Sequence, residues 1–99
     1  MEAHRLTRVA DPYMELEDLI GHISRSLSDN PDEIVVRVAR GDGFVHIEIR
    51  CGEHDVGALI GKRGVNAEAM RTIVSAAAAA RGIRATLQVI GTDLEMGPR

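Results

Sequence analysis

The sequence predicts a two-layer α+β domain: a three-stranded mixed sheet covered on one face by three helices. Three observations carry this expectation. Two neighbouring runs, 33–39 and 44–50, alternate apolar and polar residues on either side of a glycine-rich turn. A third alternating run, 83–90, follows about thirty residues of helical character. A further amphipathic segment precedes all three. Strands that alternate are buried on one side only, so helices must cover one face and water the other.

The elements follow in order. Residues 1–12 read as an N-terminal tail ending at Asp11-Pro12. Leu16, Leu19, Ile20, Ile23 and Leu27 then recur at helical spacing. Asp29-Asn30-Pro31-Asp32 stops that helix. Ile34, Val36 and Val38 share one face of the first strand, and Val45, Ile47 and Ile49 one face of the second. Arg40-Gly41-Asp42-Gly43 makes the hairpin between them. Glu53-His54-Asp55 opens a short helix through about Ile60, its acids at the positive end of the helix dipole.

A longer helix is expected from Val65 to Ala80, with Ala69, Ile73, Ala76, Ala77 and Ala80 inward and Glu68, Arg71 and Ser75 wet. Its alanine run has high helix propensity. Arg81-Gly82 ends it. In the last strand Ala85, Leu87 and Val89 point inward, and Arg84, Thr86 and Gln88 outward. The helix–helix insertion before it favours a parallel return. The domain is expected over 13–90, with 91–99 a C-terminal tail.

Composition narrows the function classes. Ninety-nine residues allow one domain with a modest core. One Phe, one Tyr and no Trp leave little for the aromatic base-stacking of RRM- or OB-type binders. A single cysteine, Cys51, excludes an internal disulfide and fits a reducing compartment, and no apolar run reaches membrane-spanning length. A cytoplasmic location is the expectation. Net charge is −3, yet residues 61–84 carry +4, from Lys62, Arg63, Arg71, Arg81 and Arg84 against Glu68. A basic patch on an acidic body fits a small, directed contact with a polyanion.

The patch contains Gly61-Lys62-Arg63-Gly64, set between two helical segments. Two glycines permit a tight turn and close backbone approach to a ligand. The following helix directs its positive end to the same place, so the loop is suited to a phosphate. The amides of Gly64 and Val65 are expected to act as donors there. A plain helix–turn–helix corner with solvated charges is the bland alternative. A Walker A loop fails: three residues, not four, separate Gly57 from Gly61, Arg63 replaces the hydroxyl, and a helix precedes the loop.

Gly57, a glycine inside a short helix, implies either a ligand lying against it or tight packing on the sheet. Cys51, Glu53, His54 and Asp55 lack the further ligands of a zinc site and the held histidine of a cysteine nucleophile. They read as a strand end followed by capping acids. His4, His22 and His46 read as surface residues. No cofactor, metal or catalysis is expected.

Three blocks resemble the KhpA family of small bacterial proteins made of one type II KH domain. They are Asp29-Asn30-Pro31-Asp32-Glu33, Gly57-Ala58-Leu59-Ile60-Gly61-Lys62-Arg63-Gly64, and Met70-Arg71-Thr72-Ile73-Val74-Ser75-Ala76-Ala77-Ala78. The resemblance spans about 14–90. It implies the αββααβ KH fold, RNA binding in the cytoplasm, partnership with a second KH-containing protein of KhpB type, RNA chaperoning and a link to cell elongation. It places the RNA-contacting loop on Gly61, Lys62, Arg63 and Gly64, and the apolar side of the groove on Gly57, Ile60 and Val65. Val65 departs from the polar or basic residue common in relatives.

The expected function is therefore a non-enzymatic single-stranded RNA-binding module, a homodimer or heteromer because one small site binds weakly. The wet sheet face near Phe44 or a helix flank would supply the contact between chains. The alternatives are a protein–protein adaptor that keeps the fold without RNA binding, disfavoured by the two loop cations, and a phosphate-ligand enzyme, disfavoured by the missing base and nucleophile.

Overall fold

The computed structural model describes residues 11–92. The first helix, α1 (Pro12–Leu27), starts at Asp11, whose carboxylate accepts the Tyr13 amide at 2.9 Å. Pro12 takes the first helical position, where a missing N–H is no loss. Asp11 and Pro12 thus belong to the helix and not to the expected tail. The remainder of that tail, with His4, lies outside the described residues. Arg40 fixes this helix end to the hairpin: it pairs with Asp11 at 2.7 Å and lies 4.6 Å over the Tyr13 ring.

Leu16 and Ile20 are buried as their spacing predicts, and Gly21 and Ser24 join them. The Ser24 hydroxyl donates to the Ile20 carbonyl, which removes the cost of burying it. After Leu27, residues Pro31–Glu33 form a 3₁₀ turn closed by the Ile34 amide on the Pro31 carbonyl at 3.1 Å. That turn delays the first strand, β1 (Val35–Gly41), by two residues relative to the expected start.

β2 (Phe44–Cys51) is the central strand, and Val45, Ile47 and Ile49 on its inner face are fully buried. β1 pairs with it antiparallel, Val38 opposite Ile47. β3 (Arg84–Gly91) pairs with it in parallel, Leu87 beside Ile47. β3 includes Gly91, expected in the C-terminal tail.

Between β2 and β3 lie a 3₁₀ turn (Glu53–Asp55), the five-residue helix α2 (Val56–Ile60) and the long helix α3 (Val65–Ala79). Gly82, at φ 72°, ends α3: its amide reaches the Ala79 carbonyl at 3.0 Å, and the Ile83 amide the Ala78 carbonyl at 2.8 Å. All three helices pack on the inner sheet face. Leu59, Met70 and Val74 meet Leu16, Ile20 and the β2 row there.

Two expectations are corrected. The inward face of α3 is Ala67, Met70, Val74 and Ala78, while Ala69, Ile73, Ala76 and Ala80 are exposed and Ala77 is half-buried. An alanine-rich helix carries two apolar stripes, and the one holding Met70 and Val74 removes more apolar area from water when buried. Second, Asp55 does not cap its own helix. It is buried beneath the end of α1, accepting the Ser28 hydroxyl at 2.5 Å and the Asp29 amide at 3.2 Å. The Ser28 bond holds the Asp55 carboxyl below its ordinary value, against the opposing effect of burial.

Candidate nucleic-acid interface

The loop between α2 and α3 is built from unusual backbone. Gly61 stands at φ 82°, ψ 168°, a region that glycine alone occupies readily. Arg63 (φ 56°, ψ 24°) and Gly64 (φ 79°, ψ 14°) both take the left-handed conformation. Lys62–Gly64 thereby wind as a tight turn that departs from helical geometry at Arg63.

The turn uses its own amides. Gly64 donates to the Gly61 carbonyl at 2.9 Å, and Val65 to the Lys62 carbonyl. The two donors expected to face a ligand are thus engaged inside the loop, because tight winding brings their carbonyl partners within reach. What the loop offers outward is side-chain charge. Lys62 and Arg63 are exposed, and neither forms an ion pair among the described residues.

Asn66, on the first turn of α3, clamps the loop from behind. Its side-chain amide donates to the Ala58 carbonyl in α2 at 2.8 Å. One residue thus ties both helices together across the turn.

A groove of about 960 Å³ opens beside the loop. Ile60, Lys62, Arg63, Gly64 and Val65 form its near wall, the exposed side of α3 its floor, and Gln88 and Val89 on the edge strand β3 its far wall. Arg71 spans this floor. Its Nε donates to the Leu87 carbonyl at 3.3 Å, and a terminal nitrogen meets Glu68 at 3.3 Å. Glu68 is the one acid among the residues lining the groove.

The structure therefore brings five of the seven candidate residues to one depression, while Gly61 shapes the loop without lining it. Gly57 stands apart. It is exposed on α2 and does not line the groove. A Cβ there would meet nothing within 4 Å, so tight packing on the sheet is not its reason. Asn66, Arg71, Gln88 and Val89 escaped the sequence-based selection. The sequence signal for Asn66 was its place two residues after the second loop glycine. Nothing local marked Gln88 and Val89, which the parallel pairing with β2 carries to the groove.

Cys51 is fully buried, and burial, reinforced by Asp55 and other nearby acids, pushes its thiol up in pKa. It is a packed side chain, as its strand-end position implies. His22 is exposed, while His46 is only half-exposed, its Nδ1 2.6 Å from the Thr86 hydroxyl.

A helix–GxxG–helix unit between the central strand and a parallel edge strand, preceded by a helix and an antiparallel strand, defines a type II KH domain. The family model described as KhpA/KhpB, KH domain matches residues 17–89, and the chain belongs to that family. It is 42% identical to the RNA-binding protein KhpA of Treponema pallidum, over 75% of this chain and 92% of that one. It is 35% identical to RNA-binding protein KhpA of Clostridium acetobutylicum, over 76% of this chain and all of the other. Among solved structures it is similar in fold to Era in complex with MgGDPNP and nucleotides 1506–1542 of 16S ribosomal RNA. The TM-score there is 0.58 at 15% identity, over 84% of this chain and 33% of that one.

Proposed function

We propose that this chain is a non-enzymatic, cytoplasmic RNA-binding module that clamps single-stranded RNA by its backbone. The observation that carries this is the pairing of two exposed cations, Lys62 and Arg63, without ion-pair partners among the described residues, with an open groove of about 960 Å³. Gly61 and Gly64 shape the loop, Lys62 and Arg63 meet phosphates, and Ile60 and Val65 give apolar cover to sugars or bases. Gly57 leaves bare backbone on α2 for the entering strand. The relatives named above are RNA-binding proteins, which supports the same reading. About two to three phosphate contacts give a salt slope near −1.5 to −2, so binding by one copy is weak and salt-sensitive. Weak contact with many strands suits RNA chaperoning or post-transcriptional regulation, including the link to cell elongation that the family resemblance implies.

Replacing both cations, Lys62→Asp with Arg63→Asp, is the test. Both are exposed, so thermal melting should stay near that of the parent. Anisotropy with a labelled single-stranded RNA should show binding lost. A variant that melts normally and binds like the parent removes the loop from consideration. A parent chain that binds no RNA yet captures a second KH protein favours the adaptor reading.

A second chain completes the unit in this proposal, as a homodimer or with a KH-containing partner of KhpB type. The support is the outward stripe of α3 beyond the groove, where Ile73 is 43% exposed and Ala76, one turn further on, is exposed beside it. Such a stripe allows two helices to approach closely, and two linked grooves raise effective concentration on one RNA.

A further inference from the structure

The sheet face left bare by the helices is basic. Arg37, Arg50 and Arg84 stand on it against one carboxylate, Glu48. Glu48 is held by Arg50 at 2.9 Å. Arg37 and Arg84 are exposed and form no ion pair among the described residues. In a chain of net charge −3 this separation of charge marks a surface for a polyanion. Charge summed along the sequence hides it, because the three arginines come from three different strands.

The same face carries what a base needs. Phe44, the only phenylalanine, is 41% exposed and lies beside Arg84 across the β2–β3 pair. His46 is anchored to Thr86 at 2.6 Å and borders a depression of about 190 Å³ with Arg37 and Glu48. Exposed rings between guanidinium groups are a stacking surface for unpaired bases. Gln88 joins this face to the groove: it belongs to the outward row of β3 and also lines the groove wall.

We propose that the bare sheet face is a second RNA-binding surface, onto which a single strand leaving the GxxG groove passes over Gln88. Its phosphates meet Arg84 and Arg37, and its bases lie on Phe44 and His46. The path begins at the groove and so rests on the RNA-binding reading above. It makes the full footprint longer than the roughly four nucleotides that a KH groove holds.

The test compares labelled single-stranded RNAs of four and ten nucleotides over a salt series, with the full chain. The longer RNA should show a slope steeper by about 1.4, from two further phosphates at about 0.7 each. The double variant Arg37→Gln/Arg84→Gln should return the longer RNA to the slope of the shorter and leave four-nucleotide binding unchanged. Phe44→Ala should weaken only the longer RNA, by about fivefold or more. Amide signals of His46 and Thr86 in the unaltered chain should move with ten nucleotides and stay still with four, a readout that needs no variant to fold.

Equal salt slopes for the two lengths overturn the proposal. So does a double variant that weakens both lengths by the same factor. If four nucleotides fail to bind while ten bind through Arg37 and Arg84, the sheet surface stands and the groove reading falls.

Discussion

The backbone nitrogen of Asn66 lies 2.8 Å from the place where a Cβ on Gly61 would stand. Main chain cannot swing aside as a side-chain tip can. Gly61 is therefore confined twice, by φ 82° with ψ 168° and by space. Gly64 is confined only by its φ of 79°, since a Cβ there would meet nothing within 4 Å. Gly61→Ala should cost about 2–4 kcal/mol, strain and overpacking together. Gly64→Ala should cost about 1–2 kcal/mol, and Gly64→Asn less, because asparagine tolerates that conformation. Urea melts of the three variants check the ranking. Equal losses for the two alanine variants would show that the packing at Gly61 is not as described.

Arg63 holds a left-handed backbone, and its exposed side chain forms no ion pair among the described residues. Arg63→Gly should leave stability unchanged or raise it by up to about 1 kcal/mol, as relief of strain outweighs the added freedom of the unfolded chain. RNA affinity should fall, with the salt slope smaller by about 0.7 for one lost phosphate contact. A variant that melts markedly lower would mean that the Arg63 side chain supports the fold, contrary to its exposure.

The two apolar stripes of α3 should separate cleanly. Met70→Ala removes a side chain that is 1% exposed and should cost about 2–5 kcal/mol. Ile73→Glu changes an outward position and should stay within about 1 kcal/mol in a monomer. Sedimentation at micromolar concentration should show that Ile73→Glu lowers the association state of the parent. If the parent is a monomer with and without a second KH protein, the paired arrangement is lost.

Acid should loosen both ends of α1, where Asp11 and Asp55 are bound. Asp55 and Asp11 both titrate below their ordinary value of 3.8 in the folded chain, through hydrogen bonds from Ser28 and Arg40 respectively. A lowered folded value means the unfolded chain takes up the proton first. The stabilisation is therefore complete above 3.8 and disappears as pH falls through the lowered values. Asp55→Asn should lower the melting temperature at pH 7 and lessen its fall between pH 5 and pH 3. A pH profile identical to that of the parent would contradict the Asp55–Ser28 bond.

Alternation and helical spacing made most of the fold legible. The β2 row of Val45, Ile47 and Ile49 and the stop at Asp29-Asn30-Pro31-Asp32 follow from residue pattern alone. The inward side of α3 was not legible, because alanine gives no contrast between stripes and the choice depends on what the sheet can accept. The loop cations were legible from Gly61-Lys62-Arg63-Gly64. The fate of the Gly64 and Val65 amides was not, since their partners are fixed by a backbone conformation that composition does not reveal. Asp55 looked like a helix cap because acids precede many helices. Only the folded-back end of α1 supplies Ser28 and Asp29 as its partners.

Because Gln88 and Val89 form the far wall, a chain still being synthesised has its GxxG turn before it has a groove. β1 and β2 close as a local hairpin, but the parallel pairing of β3 waits for the last strand to emerge. Until then β2 exposes an unpaired edge, and a nascent molecule presents cations with nowhere to seat a strand. On the proposed reading, the RNA groove thus forms only once β3 has emerged and paired. A ribosome stalled with residue 83 at the exit would display the turn without the far wall of its groove.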